Sequence, residues 1–395
     1  MKQSLEGIKV LDLTRVLAGP YATMVLADLG ANVMKVEMPV KGDDSRHFGP
    51  YVGDESAYFM SLNRNKRSMT LNLKTEKGKK LLKEMINNVD IVIENFRPGT
   101  MEKLGLGYDV LKEINPRIIY AAASGFGHSG PYSKRPAYDA IVQAMGGIMS
   151  ITGQEGGEFT RVGTSVGDIT AGLFTSIGIL AALRYRNETG IGQKVDVAMF
   201  DTQLSILENA VARYAVDGEI PAPKGNRHPS IVPFEPFDAS DGKIMIAVGN
   251  DALWVKFCIA TELEHLTDKE EFKTNPLRNN NYKMLRPLIA EKIIKKTVDE
   301  WIEIFNDGGV PNGPINTVDK VMKDPQILAR DMVKKVEHPI AGKLLMPGVP
   351  IKMSETQGDV IMPSPILGQH TDEILKEILD LDDNEIEKLK KENIF

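Results

Sequence analysis

The stretch IKVLDLTRVLAGPYATMVLADLGANVMKVE, residues 8–37, carries the signals of a strand, a helix and a second strand. Ile8–Leu13 is rich in strand-forming residues and ends at a turn, Tyr21–Leu29 has the apolar spacing of a helix, and Asn32–Glu37 again has strand character. A β-α-β unit of this length predicts two parallel strands joined by a helix that packs on one face of the sheet.

The same alternation continues towards the C-terminus. The predicted elements are a strand at Ser68–Leu73, a helix at Thr75–Asn88, a strand at Ile91–Glu94, a helix near Thr100–Ile114, a strand at Arg117–Ala123, a long helix from Asp168 to Gly190, a strand at Val195–Ala198 and a further helix to about Arg213. Strands that alternate with helices predict an α/β fold with helices on both faces of a parallel sheet.

A chain of 395 residues exceeds the size of most single hydrophobic cores, so two domains are expected. A segment rich in proline and glycine follows the last of these helices, and the pattern after it changes to a smaller α+β type. The predicted division is a large α/β domain over residues 1–204, a linker over 205–230, a small α+β domain over 231–325, and a return to the large domain over 326–395.

Composition narrows the function classes. The net charge of −6 argues against a nucleic-acid partner, and we expect no secretory signal and no membrane span because no sufficiently long apolar run is evident. The single cysteine, Cys258, fits a reducing compartment, so we expect a cytoplasmic protein. The six histidines are scattered, and we predict no metal site.

The segment GFGHSG, residues 125–130, has the spelling of a dinucleotide-binding fingerprint and follows a predicted strand. In such a site a helix must begin directly after the glycines, because its N-terminus binds the pyrophosphate. Pro131 and the PYSKRP segment follow instead, so the sequence does not favour nicotinamide chemistry.

Asp168 has two interpretations. An aspartate at a helix cap accepts backbone N–H bonds, which is a structural role. A carboxylate in that position, preceded by Gly167, also stays ionised and approachable, as a carboxylate nucleophile requires. Two further segments also have both a functional and a structural interpretation. Each is either a ligand site or ordinary structure: ENFRPGTMEKLG at residues 94–105 and the basic RNKRSMTLNLKT at residues 64–75.

Seven segments in chain order resemble the class III (CaiB/BaiF-type) CoA-transferases. They are residues 10–37, LNRNKRSMTLNLKT, ENFRPGTMEKLGLGYDVL, GDITAG, GIGQKVDVAMFD, GVPNGPINTVDKV and LGQHTDEIL. The resemblance implies a large Rossmann-like domain formed by both chain ends, a smaller α+β domain and an interlocked homodimer. It also implies transfer of CoA from an acyl-CoA thioester to a free carboxylic acid, with CoA as substrate and no tightly bound cofactor.

In this family the aspartate of the G-D motif, here Asp168, is the nucleophile, through an acyl anhydride and an aspartyl-CoA thioester. The residues that match the family's CoA contacts are Val16, Leu17, Ala18, Leu71, Lys74, Asn95, Phe96, Arg97, Lys103 and Tyr138. The sequence departs from the family at Met38, where other members have a nucleotide-binding arginine, so Arg46 or Arg97 is expected to take that role.

Two alternatives stand beside this prediction. The first is an α-methylacyl-CoA racemase, which shares the fold. In those enzymes a G-H-D segment supplies a histidine base, whereas the matching positions here are Ala137, Tyr138 and Asp139, so that base is missing. A non-catalytic CoA-binding protein would leave Asp168 as a helix cap only. The acceptor acid is not named by the sequence, but Arg227 and His228 are candidates to bind a second carboxylate. The start of the Asp168 helix and the segment 247–251 are the candidate sources of oxyanion donors.

Overall fold

A computed structural model describes residues 3–395 of the chain. Two compact units are present. The first comprises the chain up to Met149, together with Arg161–Glu219 and Pro325–Phe395; the second comprises Ser150–Thr160 and Ile220–Asp324. The first unit thus draws on both ends of the chain, and the short segment Ser150–Thr160 belongs to the second unit although it precedes the predicted linker.

The first unit begins with the predicted β-α-β unit. Its elements as far as residue 151 are β1 (Lys9–Asp12), α1 (Ala18–Asp28), β2 (Asn32–Glu37), β3 (Tyr51–Val52), β4 (Glu55–Ser56), α2 (Ala57–Leu62), β5 (Lys66–Thr70), α3 (Glu76–Ile86), β6 (Ile91–Glu94), α4 (Thr100–Lys103), α5 (Tyr108–Ile114), β7 (Ile119–Ser124), α6 (Asp139–Met145) and α7 (Ile148–Ile151). The strands predicted at Asn32–Glu37 and Ile91–Glu94 are found at those residues.

Within the described residues, six strands form one parallel sheet in the order β5-β2-β1-β6-β7-β8, where β8 is Lys194–Ala198. This is the strand order of a doubly wound Rossmann-type sheet. Val10 pairs with Val33 on one side and with Ile91 on the other, so β1 lies at the centre. The predicted α/β class is therefore correct.

Apolar side chains cover both faces of the sheet. On one face Leu11, Met34 and Val92 pack under α3, α5 and the C-terminal helices α17 (Thr371–Leu379) and α18 (Asp383–Lys391). On the other face, alternate residues such as Val10 and Ile93 pack under α1 and α8 (Val166–Thr189). This two-sided burial explains why the strands are almost continuously apolar.

Helix α8 is long and apolar enough to cross a membrane by length and composition, although no such stretch was expected from the sequence. Within its most apolar window, 44% of the residues are buried inside the protein. A core helix of a soluble protein satisfies the same criteria. Gly172 brings it close to α1, because a Cβ added there would lie 2.8 Å from the Ala18 carbonyl oxygen.

After β8 the first unit continues with α9 (Met199–Ser205) and α10 (Glu208–Asp217), so a helix occupies part of the predicted 205–230 linker. It resumes with α16 (Pro325–Ala329), β12 (Val333–His338) and β13 (Gly342–Pro347) before α17 and α18. The paired strands β12 and β13 are antiparallel.

The second unit has its own core. Its elements are β9 (Phe234–Asp238), β10 (Lys243–Ala247), α11 (Asp251–Ala260), α12 (Asn275–Asn280), α13 (Tyr282–Ile293), α14 (Val298–Gly308), β11 (Asn312–Pro314) and α15 (Val318–Val321). The strands form an antiparallel sheet in the order β11-β10-β9. Buried aromatic residues, including Trp254, Phe257 and Trp301, fill the space between the sheet and the helices. This is an α+β arrangement.

Candidate active site

The strand order reverses direction between β1 and β6, and a crevice opens there at the carboxyl ends of the strands. Two loops meet at this point. The Arg15 N–H donates to the Asn95 side-chain oxygen at 2.8 Å, and the Asn95 side-chain N–H donates to the Arg15 carbonyl at 2.7 Å. These reciprocal bonds join the turn after β1 to the turn after β6, because the two strands are neighbours.

A cleft of about 190 Å³ lies beside these loops. Eight of the residues predicted as site residues line it together: Val16, Leu17, Ala18, Asn95, Phe96, Arg97, Tyr138 and Asp168. They come from the turns after β1 and β6 and from the starts of α6 and α8. Segments separated by more than 150 positions thus converge on one cleft.

Three predicted CoA contacts lie elsewhere. Leu71 is buried in the core beneath α3, and Lys74 is an exposed residue just after β5. Lys103 borders a neighbouring lysine-rich depression together with Lys79 and Lys83. None of the three lines the Asp168 cleft, so any contact that they make with CoA would be with a part of the molecule that extends beyond it.

The basic residues of segment 64–75 have structural partners. Arg64 is buried, and its Nη2 atom lies 2.7 Å from Asp28 Oδ2. Lys66 is also buried, and its Nζ atom lies 3.3 Å from Asp12 Oδ2. Arg67 forms ion pairs with glutamates of α17. These three residues therefore have ordinary structural roles. Strand β5 lies at the edge of the sheet, but Arg64 and Lys66 are buried and not solvated.

Arg46 is also engaged. Its Nε and Nη2 atoms donate to the two carboxylate oxygens of Glu37, each at 2.7 Å, and its guanidinium lies 3.6 Å from the centre of the Phe59 ring. A guanidinium held in this way has little capacity left for a phosphate. Arg97 is exposed and lines the cleft, so it is the better of the two predicted replacements for the arginine missing at Met38.

Asp168 is the third residue of α8, whereas the sequence predicted it at the cap. Ser165 is the cap residue, and its side chain makes no capping bond. The cap therefore lies three residues earlier than expected, because Val166, Gly167 and Asp168 are already helical. Asp168 remains in the first turn, where the helix dipole favours a negative charge, but its side chain is free to face the cleft.

Its protonation also differs from the expectation of a permanently ionised carboxylate. The pKa of Asp168 is raised to about 7. Burial is the largest cause and the nearby Asp139 is the second, while a hydrogen bond from the Ala18 backbone N–H opposes the rise. Burial disfavours the charged form and so does a second carboxylate. A pKa of about 7 implies that Asp168 is a mixture of acid and carboxylate near neutral pH.

Asp139 positions the start of α8. One of its oxygens accepts the Gly167 N–H at 2.8 Å, and the other accepts a bond from the Gln143 side chain at 2.7 Å. Gly167 is required at this position, since an added Cβ would lie 2.8 Å from Val142. The same residue that raises the pKa of Asp168 therefore also fixes the helix that carries it.

Two arginines of the cleft were not identified from the sequence. Arg15 lies 5.0 Å from the Phe96 ring centre and forms an exposed ion pair with Asp44, while Arg135 lies 4.6 Å from the Tyr132 ring centre. Both are in loops without periodicity. The only sequence signal for Arg15 was its place directly after a central strand, and Arg135 had none.

Glu94, the last residue of β6, supports the turn that follows it. It is buried, it accepts the Phe96 N–H at 2.7 Å and the Tyr120 hydroxyl at 3.0 Å, and His128 Nε2 lies 3.5 Å away. Burial raises the pKa of Glu94 to about 7, and the hydrogen bonds from the Phe96 N–H and the Tyr120 hydroxyl oppose this rise. The pKa of His128 is lowered, chiefly by burial.

The GFGHSG segment lies in the turns after β7, and the next helix, α6, begins at Asp139. No helix starts at the glycines, as the sequence predicted. Among residues 3–395, no group of three or more His, Cys, Asp or Glu side chains is arranged to hold a metal ion. In the second unit, the Arg227 guanidinium lies 4.1 Å from the Tyr282 ring centre and the His228 ring lies 5.2 Å from that of Phe234.

Comparison with known proteins decides the family. The family described as "CoA-transferase family III" matches residues 5–371. The chain belongs to this family of CoA-transferases. It is accordingly an enzyme of the CoA-transferase class, for which CoA thioesters are substrates.

Relatives of this family III CoA-transferase are similar over nearly its whole length. It is 42% identical to a human succinyl-CoA:glutarate CoA-transferase, over 98% of this chain and 88% of the human protein. It is 44% identical to an acetyl-CoA:oxalate CoA-transferase of Acetobacter aceti, over 89% and 90%. The crystal structure of a CaiB/BaiF family protein from Brucella suis superposes with a TM-score of 0.84 at 40% identity, covering 96% of this chain and all of that one.

Proposed function

We propose that this family III CoA-transferase moves CoA from an acyl-CoA to a free carboxylic acid through a covalent intermediate on Asp168. The observation that carries the proposal is the placement of the Asp168 side chain in the switch-point cleft beside the turns that match the family's CoA contacts. A carboxylate in the first turn of a helix, with Gly167 before it, is accessible to a thioester carbonyl.

The first half-reaction loads CoA onto the enzyme. An oxygen of the Asp168 carboxylate attacks the thioester carbonyl, the carbon–sulfur bond breaks, and a mixed anhydride and CoA thiolate form. The thiolate then attacks the Asp168 carbonyl of the anhydride. The donor acid leaves with the bridging oxygen, and an aspartyl-CoA thioester remains. Two acyl transfers of moderate difficulty thus replace one direct exchange.

The second half-reaction reverses these steps with a different acid. The acceptor carboxylate attacks the aspartyl thioester, thiolate departs, and a second anhydride forms. The thiolate attacks the acceptor's carbonyl to give the new acyl-CoA, and Asp168 regains a carboxylate that now contains one oxygen from the acceptor. Because each step passes through an oxyanion, hydrogen-bond donors must be placed in advance; the segment 247–251 is a predicted source and its role is untested.

We further propose a dicarboxylic acid as a substrate. The named reactions of the relatives involve glutarate, oxalate, mesaconate and succinate. Arg15, Arg97 and Arg135 line the cleft that holds Asp168, and a guanidinium is a good partner for a second carboxylate. The earlier hypothesis that Arg227 and His228 bind this carboxylate is a separate, equally testable one.

A homodimer is also proposed, of the interlocked kind that the resemblance implies. The outward face of α8 exposes a stripe of large apolar side chains at helical spacing, among them Leu173, Ile177 and Leu180, and Ile177 is 60% exposed. Exposed apolar stripes of this kind are typical of surfaces that become buried on association. A second copy of this chain is the occupant we propose.

Trapping the intermediate tests the mechanism. Enzyme treated with acyl-CoA and then hydroxylamine should carry a hydroxamate in the peptide that contains Asp168, as read by mass spectrometry. Asp168→Asn should fold and bind CoA, yet lose transfer by at least about a thousandfold. Near-full turnover by Asp168→Asn, or a label on a different peptide, would contradict the proposal.

A matrix of acyl-CoA donors and free acids tests the substrate class. We expect short dicarboxylates to be the best acceptors, with Arg15→Met or Arg135→Met raising KM for the dicarboxylate more than for a monocarboxylate of equal length. Activity confined to monocarboxylates would contradict the dicarboxylate proposal while leaving the Asp168 mechanism intact.

A further inference from the structure

The GFGHSG segment, at which no helix starts, contains a largely buried histidine. The side chain of His128 is 9% exposed, and the residue before it, Gly127, has φ +78°. Glycine adopts this left-handed conformation without the strain that a side chain would bring. The His128 backbone N–H donates to the Asp196 carboxylate, at 3.0 Å from one oxygen and 3.3 Å from the other. The backbone of His128 is therefore fixed to strand β8.

The ring of His128 lies between Lys194 and Glu94. Lys194 is the first residue of β8, and its Nζ atom lies 3.1 Å from His128 Nδ1. A charged lysine side chain has donors only, so Nδ1 is the acceptor and the proton of the neutral ring is on Nε2. The Nε2 atom lies 3.5 Å from Glu94 Oε1. The ring N–H therefore faces the carboxylate of Glu94.

This ring N–H has no hydrogen-bond partner at normal distance. His128 Nε2 is buried, and no atom within residues 3–395 accepts a hydrogen bond from it. The distance of 3.5 Å to Glu94 exceeds the usual N–O range, so the two groups attract each other electrostatically without forming a regular hydrogen bond. Buried donors without a partner are rare because they cost free energy. A role at Glu94 explains this donor better than a contribution to stability does.

Glu94 connects the histidine to the cleft. Its Oε2 atom accepts the Phe96 N–H at 2.7 Å, and its Oε1 atom, which faces His128, also accepts the Tyr120 hydroxyl at 3.0 Å. Asn95 and Phe96 line the cleft. Both oxygens belong to one planar group, so a carboxylate that turns away from His128 also moves away from the Phe96 N–H. The position of the turn after β6 thus depends on where the carboxylate is held.

We propose that His128 and Lys194 are positioning residues that hold the Glu94 carboxylate, and thereby the Asn95–Arg97 turn, for the binding of acyl-CoA. Neither residue is among the described residues that line the cleft, and both act through Glu94. The inference rests on the proposed binding of acyl-CoA in the Asp168 cleft. It adds that β8, which lies on the far side of β7 from β6, helps to set the turn after β6.

Two variants of the whole enzyme remove the proposed support. His128→Ala and Lys194→Met should each raise KM for the acyl-CoA by at least about threefold and change kcat by less than about twofold, because the turn moves while Asp168 is unaffected. Lys194→Arg can still donate to His128 Nδ1, so its KM should stay within about twofold of the wild type. Lys112→Met is the control, since Lys112 is an exposed lysine on α5 that lies 5.7 Å from the Tyr108 ring centre.

A double-mutant cycle separates an action through Glu94 from a general effect on stability. If His128 acts through Glu94, adding His128→Ala to Glu94→Ala should change KM for the acyl-CoA by less than about twofold. Two independent effects would multiply instead. All rates are measured well below the Tm of each variant, so that loss of folded enzyme does not contribute.

An unchanged KM in either single variant would overturn the proposal, as would multiplied effects in the cycle, a Lys194→Arg enzyme no better than Lys194→Met, or an equal rise in Lys112→Met. If His128→Ala does not fold, Lys194→Met and its combination with Glu94→Ala decide alone. Failure of the nucleophile proposal is recognised separately, because hydroxylamine would then leave the Asp168 peptide unlabelled in the wild-type enzyme.

Discussion

At the scale of single residues, the reactivity of Asp168 depends on its neighbours. A carboxylate that is too stable as an anion is a poor nucleophile, and one that is always protonated cannot attack. Burial and Asp139 bring its pKa to about 7, while the Ala18 N–H limits the rise. The structure thus combines an accessible oxygen with a raised basicity.

The first prediction concerns pH. In the proposed mechanism only the ionised form of Asp168 attacks, so the raised pKa predicts that kcat/KM falls as pH decreases through about 7. The acid limb should fit a single ionisation in that region, measured by initial rates from pH 5 to 9 with an acyl-CoA that does not itself titrate there. A flat profile down to pH 5 would show that Asp168 ionises normally.

The second prediction concerns stability. A carboxyl whose pKa is raised by folding from its ordinary value of 3.8 to about 7 destabilises the fold increasingly as pH rises between these values, and the effect is complete above about pH 7. Asp168→Asn removes the ionisation but keeps an oxygen that can accept the Ala18 N–H. It should therefore raise the free energy of unfolding at pH 8 on the order of 2 kcal/mol.

Thermal unfolding of the two proteins at pH 8 and pH 4 checks this. The variant should have the higher Tm at pH 8, and the difference should be small at pH 4, because the folded wild type is protonated there and the unfolded chain is close to its own pKa. A variant that is less stable at pH 8 would mean that the Asp168 carboxylate contributes to the fold.

The place of Asp168 near the start of a long helix could be predicted from sequence, but its environment could not. The G-D motif and the apolar helix after it are local signals. Its pKa is raised by burial and by Asp139, which precedes it by 29 positions, and the turn at Ala18 opposes the rise, so only tertiary packing reveals it. Arg15 and Arg135 were not predicted as cleft residues, because they lie in loops, where the sequence has no periodicity from which their positions could be inferred.

At the scale of elements, the end of β6 shows how a strand places a binding turn. Glu94 is the last strand residue, and its carboxylate holds the Phe96 N–H, so the orientation of the next turn is fixed from within the core. Tyr120, from the adjacent strand β7, donates to the other oxygen. Strands β6 and β7 therefore together fix the turn after β6, in which Asn95 is hydrogen-bonded to Arg15.

The third prediction follows from this. Glu94→Ala should leave the Asn95–Arg97 turn without its anchor and raise KM for the acyl-CoA by about tenfold, with a smaller effect on kcat, in steady-state kinetics at saturating acceptor. Tyr120→Phe is the matched control, because it keeps the bond between Glu94 and Phe96. Equal KM values for wild type and Glu94→Ala would contradict a positioning role for Glu94.

Strands marked by apolar runs were predicted well, whereas the start of β5, where two charged residues stand side by side, was not. The bounds of β2 and β6 were predicted correctly from apolar runs. Strand β5 begins at Lys66, two residues before the predicted start at Ser68. The prediction missed Lys66 and Arg67 because two adjacent charged residues are typical of a solvent-exposed segment. In the fold, Lys66 is buried against Asp12 and Arg67 pairs with α17, and those partners are distant in the chain.

At the scale of the whole molecule, alternating strands and helices predicted the parallel sheet but not its order. The order places β1 and β6 side by side, and that adjacency creates the cleft. Sequence patterns also gave no sign that Ser150–Thr160 belongs to the second unit. The choice of unit for such a short segment depends on packing rather than on local propensity.

The fourth prediction concerns assembly. Placing charges on the exposed stripe of α8, with Leu173→Asp and Ile177→Asp combined, should weaken the proposed homodimer, because buried charges without partners are costly. Sedimentation velocity should show a slower species than the wild type. Ile259→Asp, an exposed apolar site on α11, is the control and should sediment as the wild type does. A wild-type enzyme that is monomeric would contradict the dimer.

The central claim is that an oxygen atom of Asp168 leaves and is replaced in each catalytic cycle. Multiple turnovers with an acceptor acid labelled with oxygen-18 in its carboxylate, followed by digestion and mass spectrometry, test it directly. We predict oxygen-18 in the Asp168 peptide, and in the released donor acid after further turnovers. Full turnover with no oxygen-18 in that peptide, or its appearance in a different one, would contradict covalent catalysis by Asp168.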